Sequence, residues 1–222
     1  MKIIALTDIH GRPQAIPDIA QEIEAADVVL LPGDITMFGR RAEALRVLDA
    51  VREHNTRILA VMGNCDYPEV EELLVEEGIC LHRRHCTIDG VTFVGLGGSL
   101  PCPMPTLNEW SESEIADHLE AAHDGVNASA PFVLVSHQPP FDTVVDLAGI
   151  GKHVGSAAVR HFIERHRPAV CFSGHIHEAQ GTDRVAGALL INPGPFLDGH
   201  YAWAELEGRE WRAEIRRAPA FA

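Results

Sequence analysis

Six times along this chain a short apolar run breaks off in a polar turn. Lys2 to Leu6 stops at Thr7-Asp8-Ile9-His10-Gly11, and Val28 to Leu31 at Pro32-Gly33-Asp34. Ile58 to Met62 stops at Gly63-Asn64-Cys65-Asp66, and Phe132 to Val135 at Ser136-His137. Ala169 to Phe172 stops at Ser173-Gly174-His175-Ile176-His177, and Leu189 to Ile191 at Asn192-Pro193-Gly194. Runs this short, closed by turn-forming residues, read as buried strands followed by loops.

The intervening segments have helical spacing. Arg40 to Glu53 sets Leu45, Leu48 and Val51 near one face, and Pro68 to Glu77 sets Val70, Leu73 and Leu74 opposite its acids. Ser111 to His123 opens with Ser111-x-x-Glu114, a capping box. Ser156 to His166 carries Val159, Phe162 and Ile163 on one face, with Ser156 placed as N-cap. Alternating strands and helices predict an α/β fold with helices covering the sheets. Tyr201 to Leu206 and Trp211 to Ile215 alternate around Glu207-Gly208-Arg209 and predict an antiparallel hairpin, so the sheets are expected to be mixed. No repeat or composition break divides the 222 residues, which are read as one domain, 1–222. The segment from Gly95 to Glu109, rich in glycine and proline, is read as a long loop within that domain.

Oxygen and nitrogen donors gather at the strand ends: Asp8, His10, Asp34, Asn64, His137, His175 and His177. In an open α/β sheet, ligands bind beyond the carboxyl ends of the strands. Asp8 and His10, like His175 and His177, are two residues apart, which in an extended segment puts both side chains on one side. Carboxylate, imidazole and amide oxygen together suit Mn, Fe, Ni, Co or Zn. Seven donors exceed the needs of one tetrahedral ion, but with a shared carboxylate they divide into two sets of four. A two-metal site spaced at about 3.5–4 Å can activate water and neutralise an in-line displacement.

The ordered set Asp8-x-His10, Gly33-Asp34, Gly63-Asn64-Cys65-Asp66, His137 and Gly174-His175-x-His177 resembles the calcineurin-like metallophosphoesterases. Asn192-Pro193-Gly194 beyond it is similar to the small prokaryotic members. The resemblance implies a four-layer αββα sandwich of two mixed sheets flanked by helices. It implies one divalent ion on Asp8, His10, Asp34 and His177, and a second on Asp34, Asn64, His137 and His175. Asp34 would bridge them together with a hydroxide that attacks a phosphate ester, with Asp34, Asn64, Asp66 and His137 forming the catalytic group and Asp66 orienting a neighbour. Manganese is the expected ion. Many members carry histidine after the asparagine, the usual proton donor to the leaving oxygen, where this chain has Cys65. A thiol with an ordinary pKa of about 8.5 is a poor acid at neutral pH, so activated esters and diesters are favoured.

Charge sets limits on the substrate. Lys and Arg total 18 against 32 Asp and Glu, for a net charge of −14. That disfavours a nucleic-acid backbone as partner, except as a short or nucleotide substrate, and leaves a small phosphorylated compound as the expected one. A protein phosphatase, a nuclease or a non-catalytic interaction module on the same fold are the competing readings. No apolar run reaches the length of a membrane span, the N-terminal apolar stretch is too short for a signal peptide, and five cysteines without Cys-x-x-Cys spacing point to a reducing cytosol. Oligomeric state is open. The Asn127-Ala128-Ser129 sequon is read as chance.

Secondary candidates have plainer readings beside them. Lys152 and His153 precede a helix start that could take a phosphate, or a capped, exposed one. Trp110 reads as core or rim, His82 to His85 as a solvated basic turn, and His200 as distant from the pocket.

Overall fold

The computed structural model describes residues 1–127, 130–208 and 210–221, so the sequon lies partly outside the described residues. The chain runs β1 (Lys2–Ala5), α1 (Ala20–Glu24), β2 (Val28–Pro32), α2 (Arg41–Arg52), β3 (Ile58–Val61), α3 (Pro68–Glu76), β4 (His85–Ile88), β5 (Val91–Leu96) and α4 (Glu112–His123). It continues through β6 (Phe132–Ser136), β7 (Leu147–Ala148), β8 (Lys152–His153), α5 (Ala157–His166), β9 (Val170–Phe172), β10 (Gly181–Val185), β11 (Ala188–Asn192), β12 (His200–Glu207) and β13 (Glu210–Arg217).

Two sheets carry the fold, ordered β13-β12-β1-β2-β3 and β10-β11-β9-β6-β5-β4. In the first, β1, β2 and β3 are parallel, while β12 and β13 are antiparallel additions. In the second, β5, β6, β9 and β11 are parallel, with antiparallel β4 and β10 at the edges. Both sheets are therefore mixed, as expected.

Alternation along β1 explains the layering. Ile4 joins the core beneath α1, α2 and α3, with Val29, Val47, Leu48, Leu73 and Leu74. Ile3 and Ala5 face the other way, into a core between the sheets with Phe93, Val135 and Phe172. The far face of the second sheet presents Leu134, Cys171 and Leu190 to Leu119 of α4 and Phe162 of α5. Strands covered on both faces are near-continuous apolar runs, which is why β2 and, up to Ser136, β6 are apolar with every residue buried. The result is the four-layer αββα sandwich.

The helix starts follow their sequence signals. Ser111 and Glu114 form the capping box at α4, and the Ser156 side chain accepts from Val159 N at α5. None of the six apolar runs of the sequence marks β4, β5, β7, β8 or β10 as a strand. Gly95 sits inside β5, where a Cβ would stand 2.3 Å from Leu81 Cβ, so a turn signal there marks close packing. β10 alternates between half-buried and exposed positions and ends on buried Val185, as an edge strand, without an apolar run to mark it.

His82 departs from its reading as part of a solvated turn. It is buried, accepts from Gly97 N at 2.9 Å through Nδ1, and stacks on Trp110 with His118 edge-on. Trp110 is half-buried, and its Nε1 donates to Gly97 O at 3.0 Å. Burial, reinforced by the charges of His118, Arg83 and Arg84, pushes the His82 pKa down to about 3. Its folded pKa thus lies below the unfolded value of about 6.5. The stability this confers is complete above pH 6.5 and is lost as pH falls toward 3, because only the unfolded state takes up the proton. A His82→Asn variant, which keeps an acceptor for Gly97, should lose less stability than the parent between pH 6.5 and 5, by up to about 2 kcal/mol. Urea titrations at those two pH values measure the difference.

Candidate metal centre

Parallel pairing puts the carboxyl ends of β1, β2 and β3 side by side, and those of β6 and β9 likewise. The loops leaving these ends interlock. Asp8 N donates to Gly33 O at 3.1 Å, His10 N to Asp34 O at 2.9 Å, and Gly174 N to His137 O at 3.2 Å. Segments distant in sequence thereby share one small volume at the sandwich edge.

The side chains occupy that volume in two groups. His177 Nε2 lies 3.4 Å from Asp8 Oδ1 and 3.2 Å from His10 Nε2. His10 Nε2 lies 4.0 Å from Asp8 Oδ1 and 3.8 Å from Asp34 Oδ2. On the other side, His137 Nε2 lies 3.6 Å from Asp34 Oδ1 and 2.9 Å from Asn64 Oδ1. The His175 ring stands 5.1 Å from that of His137. Asp34 thus turns one carboxylate oxygen toward each group. All seven donors expected from the sequence come together.

Extended backbone is not what brings the paired donors together. Asp8, His10, Asp34 and His175 are not extended but left-handed, with φ of 53°, 49°, 47° and 67°. Such conformations cost about 1–2 kcal/mol for residues with a side chain, least for Asp and His. Left-handed backbone lets each loop turn its donor inward within a few residues of the strand end. Neighbouring glycines make room. A Cβ on Gly63 would stand 2.0 Å from Asp34 Oδ1, and one on Gly174 would stand 2.0 Å from Thr7 Oγ1 and 2.5 Å from Asp8 Oδ2.

The placement of protons shows what the donors fit. His137 Nδ1 sits 2.8 Å from the Pro32 carbonyl, which can only accept, so Nδ1 carries the proton. With Nδ1 so engaged, Nε2 faces Asn64 Oδ1, whose amide nitrogen is directed at Thr106 Oγ1, 3.2 Å away. His137 Nε2 and Asn64 Oδ1, 2.9 Å apart beside the Asp34 carboxylate, make a nitrogen and oxygen donor set suited to a cation. Asp8 and Asp34 are both buried, and their ionic partners among the described residues are imidazoles, with no Lys or Arg. Oxygen and imidazole donors without a resident cation fit divalent transition ions.

Burial and neighbouring charges act on these carboxylates in opposite directions. Burial, together with the charges of Asp66 and Asp8, pushes the Asp34 pKa up to about 7 despite His137. Burial also works against Asp8 ionisation, but the His177 hydrogen bond and the charges of His137, His177 and His10 hold it below the usual carboxylate range. His175 is pushed down to about 3, first by burial and then by His137, so it is a neutral donor at physiological pH.

Asp66 lies outside the cluster. It is fully buried, and its two oxygens accept from Gly63 N (2.8 Å), Ile35 N (3.1 Å), Thr36 N (2.7 Å) and Thr36 Oγ1 (2.7 Å). Asp66 thereby fastens the loop bearing Asn64 to the loop bearing Asp34, which makes it a positioning residue. Cys65 lies within the cluster, grouped with His10 and Asp34. Burial first, then the Asp34 carboxylate, raises the Cys65 thiol pKa.

Several participants had no sequence mark. Thr7 Oγ1 donates to Asp8 Oδ2 at 2.8 Å, and Cys102 Sγ comes within 3.8 Å of His175 Nε2. Gln138 joins two loops, accepting from Leu100 N at 2.9 Å and donating to Val154 O at 3.1 Å. The start of α5 is closed to phosphate: Ala157 N, Ala158 N and Ser156 Oγ all donate to the Glu112 carboxylate. Lys152 is exposed, and His153 is bound to Asp146 at 2.7 Å. His200 is half-buried on β12.

Residues 1–179 match the calcineurin-like phosphoesterase family. A Methanocaldococcus jannaschii protein, MJ1162, is 36% identical over 200 residues, covering 88% of each chain. In structure, the protein TT1561 of Thermus thermophilus superposes with a TM-score of 0.76 at 19% identity, covering 98% of each chain. A dimetal phosphatase from Danio rerio does so with a TM-score of 0.66 at 14% identity, over 98% of this chain and 96% of that one. The chain belongs to the calcineurin-like phosphoesterase family.

Gly174→Ala should bring a methyl group against Thr7 and Asp8 and push Asp8 off its position. The expected result is a folded chain with at least about tenfold weaker metal affinity, the low end for disturbing the support of a ligand, measured by Mn²⁺ titration calorimetry beside a circular-dichroism check of folding.

Proposed function

We propose that this chain hydrolyses small phosphate esters, diesters in preference to monoesters, at a centre of two divalent ions. One ion is held by Asp8, His10, Asp34 and His177, and the other by Asp34, Asn64, His137 and His175, with Mn²⁺ as the working metal. The observation that carries this reading is Asp34, whose two oxygens face His10 at 3.8 Å and His137 at 3.6 Å in opposite groups. A shared carboxylate offsets repulsion between adjacent dications.

Bound ions would supply positive charge for the phosphoryl oxygens and acidify water from a pKa of about 15.7 to about 7. The chain's own groups set the rest. His137 is locked by the Pro32 carbonyl with Nε2 directed inward. Asn64 is held by Thr106, and Asp8 is oriented by Thr7 Oγ1 and His175 N. Asp66 keeps Asn64 and Asp34 at a fixed separation through their loops. No solvent-reaching imidazole follows Asn64; the Cys65 thiol in that place holds its proton tightly. Leaving groups that need no protonation suit such a site, which is the basis for activated esters. Five free cysteines support work in a reducing compartment. No helix among the described residues is long and apolar enough to cross a membrane.

A panel of nitrophenyl mono- and diesters with added Mn²⁺ tests the reading. Turnover is expected with the diester ahead. Asp34→Ala should bind fewer ions per chain and lose about a hundredfold to a thousandfold in kcat/KM, the scale of a lost electrostatic anchor at a reacting centre. Folded, Mn²⁺-loaded protein that turns over none of the panel would reject the reading, and undiminished metal content in Asp34→Ala would reject the assigned bridge.

Cys65→His should restore a proton donor. Its rate gain should be largest for esters with poor leaving groups, about a hundredfold, and smallest for 4-nitrophenyl esters. A plot of log kcat/KM against leaving-group pKa, shallower for the variant, is the expected outcome.

A further inference from the structure

Exposed large apolar side chains concentrate on the loops at the strand ends beside the centre and are rare on the rest of the described surface. Of the ten large hydrophobic residues exposed among the described residues, nine lie on three loops that leave the donor-bearing strand ends or β5 beside them, and only Val75 lies elsewhere. Met37 and Phe38 follow Asp34, Met104 and Leu107 lie between β5 and α4, and Leu147 and Ile150 lie between β6 and α5. Met104 is 81% exposed and Ile150 76%. Large exposed apolar patches mark binding surfaces.

Each loop touches the centre. Phe38 N donates to Cys65 O at 3.1 Å and Leu107 N to Asn64 O at 2.9 Å. Gly149 N donates to Glu178 Oε1 at 3.0 Å, beside His177. Gln138, next to His137, ties the second loop to the third.

Buried or half-buried carboxylates fix the second and third loops from within, so their outward apolar side chains are held in place. Asp146, fully buried, accepts from Thr143 N at 2.8 Å, Gly155 N at 2.8 Å and His153 Nδ1 at 2.7 Å. Glu109 accepts from Cys102 N at 3.1 Å and Thr106 N at 2.8 Å. A braced surface loses little entropy on binding.

Charge decides between occupants. Segment 97–110 contains no Lys or Arg, 138–155 contains only Lys152, and the first loop carries only Arg40 at its end, paired with Glu69. A polyphosphate or nucleic-acid strand would need basic side chains along its path. A single phosphoryl group bearing an apolar body needs charge only at the centre.

We infer that the substrate is an amphiphilic phosphate ester, its phosphoryl group at the donor cluster and its aliphatic or aromatic body laid on these loops. This rests on the phosphoesterase reading above and names its substrate class.

Octylphosphonate, kept below its micellar concentration, and methylphosphonate serve as probes for the Mn²⁺-loaded chain in titration calorimetry. A fully buried methylene is worth about fourfold in affinity, so partial burial of the chain predicts octylphosphonate binding at least about tenfold tighter, with a more negative heat-capacity change. A Met104→Ser, Ile150→Ser double variant should lose most of that advantage, and Val75→Ser should keep it. Equal affinity for the two phosphonates would overturn the inference. So would a dimer, seen by sedimentation, that the double variant dissociates while the octyl advantage persists, since the loops would then be a contact between copies. Turnover of bis(4-nitrophenyl) phosphate by the same preparation reports on the parent reading separately: turnover with equal phosphonate affinity removes the amphiphile and leaves the phosphoesterase.

Discussion

Asp8, Asp34 and Asp66 are all removed from water within one cluster of loops, and an isolated buried carboxylate is costly. The chain meets that cost in two different ways. Asp66 is met by donors from Gly63, Ile35 and Thr36 and is thereby built into the scaffold. Asp8 and Asp34 are left facing imidazole nitrogens, with no Lys or Arg among the described residues to balance them. The first solution locks the loops in position. The second leaves two carboxylates at a fixed place with no basic side chain paired to them, which suits the edge of the sandwich to binding cations.

Holding such a cluster in place requires a rigid support. Three apolar layers, one between the sheets and one outside each, anchor the strands from which the loops emerge. Left-handed turns at Asp8, His10, Asp34 and His175 then bend the donors inward soon after the strands end. Local backbone cost of this kind persists only where surrounding structure over-determines it. Here the interlocked loop hydrogen bonds and the close-approach glycines supply that determination. Stability in the sheets is thus converted into precision at the centre.

The same logic extends outward to the rim. Asp146 and Glu109 repeat, on neighbouring loops, what Asp66 does beneath the centre: a carboxylate gathers backbone N–H groups and holds a loop in shape. Inward-facing acids and outward-facing apolar side chains give one edge of the molecule two chemistries, a charged floor and an oily border, which is the arrangement an amphiphilic ester would match.

Much of this was legible in the chain itself. Apolar runs ending near Asp8, Asp34, Asn64, His137 and His175 marked the strand ends, their alternation with amphipathic segments set the α/β class, and the ordered donors identified the site, because strand periodicity and metal-ligand chemistry are local properties of residue type. The Ser111–Glu114 and Ser156 caps were readable for the same reason. Tertiary structure alone decided the remainder. Whether His82 is solvated or buried depends on Trp110, 28 positions later. Whether Asp66 contacts a reactant or braces a loop depends on Thr36, 30 positions earlier. That the α5 start is filled by Glu112, and that Met37, Met104 and Ile150 border one centre, follows from packing between distant segments. Residue type and spacing determine what a side chain can do; only the closure of the fold determines which neighbour it does it with.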